Sequence, residues 1–247
     1  MWHRQEDKSM NAIITQGLTK RFKDKTAVDG LNIAVEEGKL VALLGVNGAG
    51  KTTTIRMLTC LSKPSGGSAQ IMEYDVVKDA DKVKRLTGIS TQDTAVAENL
   101  TVEENLKFMA QLYLEKQAVN DAVEETIKGF GLGECRKKKA KLLSGGWQRR
   151  LSIAMAVIGE AKVLFLDEPT LGLDVLARRE LWREIEKLKK DRTIVLTTHY
   201  MEEAEALADY IYVMIDGRIR AEGTLAQLEQ LTGRKGLEEA FVSLAEG

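Results

Sequence analysis

The sequence predicts an α/β fold: a mixed, mainly parallel sheet with crossover helices, interrupted by an inserted helical block. Three observations predict it. Short apolar runs of strand length alternate with helical patterns along most of the chain, the signature of strands joined by crossovers. From about Asp93 to Gly159 the strand signals disappear and only helical periodicity remains. Asp216-Gly217, a two-residue turn suited to a right-twisted hairpin, separates two further strand-like runs.

Taken in order, strands are expected at Ala12 to Leu18, Leu31 to Val35, and Leu40 to Leu44, the last followed by a helix through Ile55, Leu58 and Leu61. Ala69 to Met72 and Leu86 to Ser90 are the next strand candidates. In the helical block, Thr101 and Glu104 form a capping box that opens a helix running toward Leu114. A second helix spans about Val119 to Lys128 and stops at Gly129, and a third follows Ser144, with Leu151, Ala154, Met155 and Ile158 on one face. Arg136-Lys137-Lys138-Lys139 between them reads as a solvated loop, with an anion or partner contact as the sharper reading. Val163 to Leu166 and Thr193 to Thr197 return to the sheet, and Tyr210 to Ile215 with Arg218 to Ala221 form an antiparallel edge hairpin. Leu225, Leu228, Leu231, then Leu237, Ala240, Phe241 and Leu244 outline an amphipathic tail expected to pack on the core.

Composition narrows the function classes. With 247 residues, 44% apolar and 30% charged, the chain can build a substantial core and is not disordered. Thirty-six basic residues against 37 acidic ones give a net charge of -1, so no overall field draws the protein to nucleic acid. Cys60 and Cys135 lie in no CxxC or Cys/His pattern, which argues against a zinc site or disulfide framework and for reduced thiols. No apolar run approaches the roughly 18 residues that cross a bilayer. The segment Met1 to Lys8 is charged and lacks a following apolar stretch, so no secretory signal is expected.

Two motifs carry chemistry. Gly45-Val-Asn-Gly-Ala-Gly-Lys51-Thr52 fits GxxxxGK[ST], follows a strand and enters a helix. Gly45, Gly48 and Gly50 let backbone N–H groups of the loop, with Asn47 and Ala49 between them, turn toward phosphate oxygens at a helix N-terminus. Lys51 is placed to neutralise the β- and γ-phosphates, and the Thr52 hydroxyl to ligate Mg²⁺, with Thr53 beside it. Val163-Leu-Phe-Leu-Asp167-Glu168 is an apolar strand ending in two carboxylates. Asp167 suits the metal, and Glu168 suits the water that attacks the γ-phosphate.

Leu143-Ser-Gly-Gly146 followed by Gln148-Arg149-Arg150, about twenty residues before the Asp-Glu pair, resembles the signature of the ATP-binding cassette family, the motor subunits of ABC transporters. The resemblance covers about Ile14 to Gly223. It implies a P-loop NTPase core with an antiparallel β portion and an inserted α-helical subdomain. The expected layout is a single domain: core about 10–92 and 160–223, helical subdomain about 93–159, extension 224–247. The resemblance further implies that Phe22 stacks on adenine and that Gln92 contacts Mg²⁺ and the attacking water. Ser144, Gly145 and Gly146 would close on ATP held by the other subunit, Asp174 would couple the two sites, and His199 would contact the γ-phosphate. Trp147 departs from the family, which commonly has Gln there; being bulky and a donor only, it raises the question of whether the composite site still closes.

ATP and Mg²⁺ are therefore the implied ligands. The implied partners are a membrane-embedded permease and a second cassette, a homodimer being favoured over a heterodimer, with no nucleic acid; the implied location is the cytoplasmic face of the membrane. Overall likeness of the Lys51 and His199 regions is to exporter cassettes. Two rival readings are a non-transport cassette, which goes with tandem cassettes, coiled-coil insertions or zinc modules not found here, and an ATP-dependent binding module in which Trp147 suppresses turnover.

Overall fold

A computed structural model describes residues 10–246; the reading made for Met1 to Lys8 lies outside them. In chain order the strands are β1 (Asn11–Phe22), β2 (Lys25–Glu36), β3 (Leu40–Leu44), β4 (Gly66–Ile71), β5 (Tyr74–Asp75), β6 (Thr87–Ser90), β7 (Val163–Asp167), β8 (Thr193–Thr198), β9 (Tyr210–Ile215) and β10 (Arg218–Gly223). The helices are α1 (Lys51–Leu58), α2 (Ala80–Leu86), α3 (Val102–Tyr113), α4 (Val119–Gly129), α5 (Gly145–Val157), α6 (Val175–Leu188), α7 (Met201–Leu207), α8 (Leu225–Thr232) and α9 (Leu237–Glu246).

The strands form two sheets. One runs β10-β9-β3-β8-β7-β6 and is parallel from β9 to β6, with β10 antiparallel at its edge. The other, β2-β1-β4-β5, is antiparallel. β3, β7 and β8 at the centre of the first sheet are buried along their whole length, which is why β3 and the first four residues of β7 are unbroken apolar runs. Along β3, Leu40, Ala42 and Leu44 enter the core shared with the helical block, whereas Val41 and Leu43 enter the core between the two sheets. In β7, Leu164 and Leu166 divide from Val163 and Phe165 in the same way.

The register of this sheet builds the site. Asp167 and Leu43 both lie opposite Thr197, so β3, β7 and β8 end level with one another. Asp216 and Gly217 both have positive φ, 48° and 80°, as the primed hairpin turn between β9 and β10 requires.

Several boundaries differ from the sequence reading. β1 and β2 extend well beyond Ala12 to Leu18 and Leu31 to Val35, because their outer halves are polar and partly exposed and show no apolar alternation. α1 ends at Leu58, leaving Leu61 exposed. Met72 lies past β4 in a positive-φ turn, and Leu86 closes α2 rather than opening β6. β5, α2, α6 and α7 have no counterpart among the elements expected from the sequence. The 14-residue α6 buries only Leu181 and Ile185 fully, so charge masks its periodicity.

The helical block holds α3, α4 and α5, and Thr101 and Glu104 do form the capping box. The basic run divides. Lys137 to Lys139 are exposed, but Arg136 makes a two-pronged contact with Glu103 on α3 at 2.8 and 2.9 Å and also pairs with Glu124 on α4. It ties the block together instead of waiting for an anion. α8 and α9 place Leu228, Leu237 and Phe241 in the main core, so the tail packs as expected. Cys60 and Cys135 are both free, and Cys135 is buried. No helix among the described residues is long and apolar enough to cross a membrane.

Candidate functional site

The carboxyl ends of parallel strands β3, β6, β7 and β8 converge, as binding sites in open α/β sheets do. The loop after β3 turns back on itself through Gly48 and Gly50, at φ 85° and 107°, and delivers Lys51 to the start of α1. Gly50 has no room for a side chain: a Cβ there would lie 2.4 Å from the Ala27 carbonyl oxygen and 2.7 Å from the Met214 methyl. Gly45 is similarly pressed against the Met214 carbonyl, at 2.4 Å.

Lys51 is buried, 5% exposed, and its ammonium is fully engaged. It donates to the Gly45 carbonyl at 2.7 Å and the Val46 carbonyl at 3.3 Å, and lies 3.0 Å from Glu168 Oε1. The other Glu168 oxygen is 2.8 Å from His199 Nδ1. Glu168 itself has φ 50°, unusual for a non-glycine residue and a place where strain is stored. Its N–H is held by the backbone and side-chain oxygens of Thr197, both at 3.1 Å.

Beside this cluster, Thr52 Oγ1 donates to Asp167 Oδ1 at 3.1 Å, and the Thr197 hydroxyl donates to the same oxygen. Thr197 therefore fixes both carboxylate residues, one through the side chain and one through the backbone. In the sequence Thr197 is only the last residue of the strand expected at Thr193 to Thr197; the signal it offers is a pair of threonines just before a histidine.

A cavity of about 550 Å³ opens over these groups. Phe22, half exposed, lines it together with Asn47, Gly48, Ala49 and Gly50 of the glycine loop and with Lys51, Thr52 and Thr53. Gln92, Glu168 and His199 complete the wall. Phe22 is thus not a core residue. Gln92 is exposed, and its loop is clamped by buried Arg149 of α5, whose guanidinium donates to the Thr91 and Gln92 carbonyls at 2.7 and 2.6 Å. Burial lowers the Arg149 pKa from its usual value, and Asp167 acts against that shift.

Ser144, Gly145 and Gly146 do not reach the cavity. Ser144 is the N-cap of α5, but its side chain makes no capping hydrogen bond, so the hydroxyl and the first N–H groups of that helix stay available. Trp147 is partly buried against the main core and covered by Arg150, whose guanidinium carbon lies 4.7 Å from the ring centroid. Asp174 caps α6, accepting from the Leu176 and Ala177 N–H groups at 2.9 and 3.0 Å.

Comparison with known proteins agrees with this geometry. The sequence profile described as ABC transporter matches residues 28–171. The chain is 43% identical over 224 residues to a daunorubicin/doxorubicin resistance ATP-binding protein of Streptomyces peucetius, covering 90% of this chain and 68% of that protein. It is 43% identical over 212 residues to the human phospholipid-transporting ATPase ABCA3, covering 85% of this chain but only 12% of that much longer protein. Among solved structures, an ATP-binding subunit of an ABC transporter superposes with a TM-score of 0.85 at 28% identity, over 94% of this chain and 99% of that one. A dimeric ATP-binding cassette in a post-hydrolysis state bound to ADP and Pi gives 0.77 at 25% identity, over 86% and 98%.

Proposed function

This chain belongs to the ABC transporter family as an ATP-binding, ATP-hydrolysing cassette, and from that premise we propose that the cavity between Phe22 and His199 takes ATP and that Glu168 drives its hydrolysis. The observation that carries the residue assignment is buried Glu168, with Lys51 3.0 Å from one carboxylate oxygen and His199 2.8 Å from the other, all three lining that cavity.

In this reading Phe22 stacks on the base, and the loop Gly45 to Gly50 receives the phosphates on its N–H groups. Lys51 exchanges the Glu168 carboxylate for a γ-phosphate oxygen. Released on that side, Glu168 accepts a proton from water as the water oxygen attacks phosphorus and the β–γ bridge breaks, giving ADP and phosphate. His199 keeps Glu168 in place and faces the same phosphate. Gln92 lines the wall where the attacking water stands.

The donor set suits Mg²⁺. Thr52 and Asp167 offer hard oxygen ligands 3.1 Å apart, and this ion is commonly held by one or two protein oxygens plus the substrate's phosphates. When bound it supplies neutralising charge on the phosphate oxygens. Among the described residues no cluster of three or more acidic, His or Cys side chains forms a dedicated metal cage, which fits a metal delivered with its nucleotide.

Because Ser144 to Gly146 lie away from their own chain's cavity, we infer that they serve the cavity of a second cassette, in a homodimer, with Asp174 at the junction of the two sites. A membrane permease is the further partner, placing the chain on the cytoplasmic face of the membrane. The drug-resistance and phospholipid-transporting relatives favour export as the direction.

The test is light scattering of purified Glu168→Gln with and without ATP, alongside phosphate release from the wild type. The expected result is an ATP-dependent shift from monomer to dimer in the variant and Mg²⁺-dependent phosphate release in the wild type. A variant that binds ATP and stays monomeric would remove the homodimer reading.

A further inference from the structure

Behind the Glu168–His199 pair lies a second carboxyl that the proposed mechanism does not use. Glu203, in the first turn of α7, is completely buried. Trp182 of α6 donates its indole N–H to Oε1 at 3.0 Å, whereas Oε2 has no partner of hydrogen-bonding geometry. The Thr170 hydroxyl is also buried and unpartnered. Buried polar atoms are nearly always satisfied, so two orphans in one place call for a reason.

The surroundings supply it. Thr170 lies two residues after Glu168, in the tight segment where the Leu171 N–H bonds to the Glu168 carbonyl and the Leu173 N–H to the Thr170 carbonyl. Thr198 immediately precedes His199, and its hydroxyl accepts from the Tyr200 N–H at 3.0 Å. Trp182 belongs to the helix capped by Asp174. One carboxyl therefore stands where the segment after Glu168, the segment before His199 and the helix after Asp174 meet.

We propose that Glu203 is a positioning residue for the Glu168–His199 pair, acting through Thr170 and Thr198 and not touching nucleotide. The proposal rests on the ATPase reading above. A protonated carboxyl suits the role, since its O–H gives the unpartnered oxygen a proton to donate toward a threonine hydroxyl, and no second negative charge then stands behind Glu168. Burial raises the Glu203 pKa, against smaller opposing effects of Thr198, Thr170 and Trp182, and Glu168 adds to the rise.

The other charged groups near Glu203 do not cancel that effect. Arg149 of α5 interacts with it at longer range, but its guanidinium is bound to the Thr91 and Gln92 carbonyls. Arg178 of α6 pairs with Glu202 at 3.6 Å and lies over the Tyr200 ring. β3 and β8, also packed on α7, contain no ionisable side chain, and the acids of α9 are exposed.

The experiment compares Glu203→Gln and Glu203→Leu in the full chain with the wild type. Gln keeps the shape, neutrality and donor of a protonated Glu; Leu keeps bulk alone. Expected are kcat within about threefold of wild type for Gln and a fall of about tenfold or more for Leu, with KM for ATP nearly unchanged in both. In parallel, the indole ¹H–¹⁵N resonance of Trp182, identified by its absence in Trp182→Phe, should shift in both variants and stay constant from pH 6 to 8 in the wild type. Leu with wild-type kcat, Gln as impaired as Leu, or a wild-type resonance that titrates between pH 6 and 8 each overturns the proposal. Should Leu not fold, Glu203→Asp replaces it: Asp equal to Gln in kcat overturns the proposal, and Asp impaired while Gln is active supports it. Absent ATP hydrolysis by the wild type in this assay would instead refute the ATPase reading, which keeps the two failures apart.

Discussion

The ammonium of Lys51 and the carboxylate of Glu168 stand 3.0 Å apart, both nearly inaccessible to water. The lysine proposed to take phosphate and the carboxylate proposed to take a proton from water thus form one buried ion pair. Removing one partner of a buried pair leaves a charge without compensation, a loss of about 3–5 kcal/mol. Lys51→Met should therefore abolish ATP binding and lower Tm by roughly 10 °C at this chain length. The double variant Lys51→Met/Glu168→Gln should recover most of that drop, as thermal melts would show. An unchanged Tm in the single variant would mean that the pair contributes nothing to stability.

Thr197 bridges the two carboxylate residues, donating to Asp167 and accepting from the Glu168 N–H. Thr197→Val keeps the shape of the buried side chain but removes both bonds. Asp167 then loses an orienting donor, and the positive-φ backbone of Glu168 loses part of its restraint. We expect kcat to fall about tenfold with ATP affinity little changed, and Thr197→Ser to restore it. Steady-state kinetics on the three proteins decides the matter; equal kcat in Val and Ser would show that the hydroxyl is not used.

Two glycines of the phosphate loop should behave differently. Both have positive φ, but a Cβ at Gly48 meets nothing within 4 Å, whereas one at Gly50 would strike the Ala27 carbonyl at 2.4 Å. Gly48→Ala pays only the left-handed backbone penalty, about 1–2 kcal/mol, and should weaken ATP binding modestly. Gly50→Ala has to move β2 or the loop, so binding should be lost and Tm lowered. Calorimetric titration with ATP separates them, and similar affinities in the two variants would contradict the steric argument.

The tether in the helical block gives a pH prediction. Hydrogen bonds from Arg136, and then from Lys107, hold the Glu103 carboxyl down at about 2, below its usual value. A depressed folded-state pKa contributes stability that is present above the unfolded value and lost as pH falls toward the folded one. Arg136→Ala should therefore melt below the wild type at pH 7, the gap narrowing below about pH 4.5 and closing near pH 2. Melting curves across that range test it, and a gap that widens on acidification would reverse the sign.

Legibility in the sequence followed physical cause. β3 and β7 were readable because strands buried on both faces must be continuously apolar, and the phosphate loop because its backbone demands glycine at fixed spacing. Where burial is one-sided the signal failed: α6 carries Arg178, Arg179, Glu180, Arg183 and Glu184 around two fully buried residues, and the outer half of β1 is half-exposed and polar. Within the site, Lys51, Thr52 and Glu168 were readable from motif spacing, whereas Phe22, Gln92 and His199, which line the same cavity, were reached only through the family resemblance. The supporting contacts of Thr197 with Asp167 and Glu168, and of Arg149 with the Thr91 and Gln92 carbonyls, were not readable, because they arise from the register of β7 with β8 and from the packing of α5. Motif spacing also could not show that Arg136 is an internal tether, since both its partners lie on other helices.

Phe22 ends β1 with its ring half exposed and lining the cavity, and Lys20 Nζ lies 5.0 Å from the ring centroid. An aromatic ring left in water at the end of a strand contributes little to folding, so Phe22→Ala should leave Tm within a degree or two. Stacking of a base on an aromatic side chain is worth about 1–3 kcal/mol, so ATP affinity should fall roughly five- to hundredfold. Phe22→Tyr should bind like the wild type. Inorganic tripolyphosphate, which has no base to stack, should bind Phe22→Ala and wild type equally, whereas equal losses for ATP and tripolyphosphate would show that Phe22 shapes the phosphate loop instead of holding adenine.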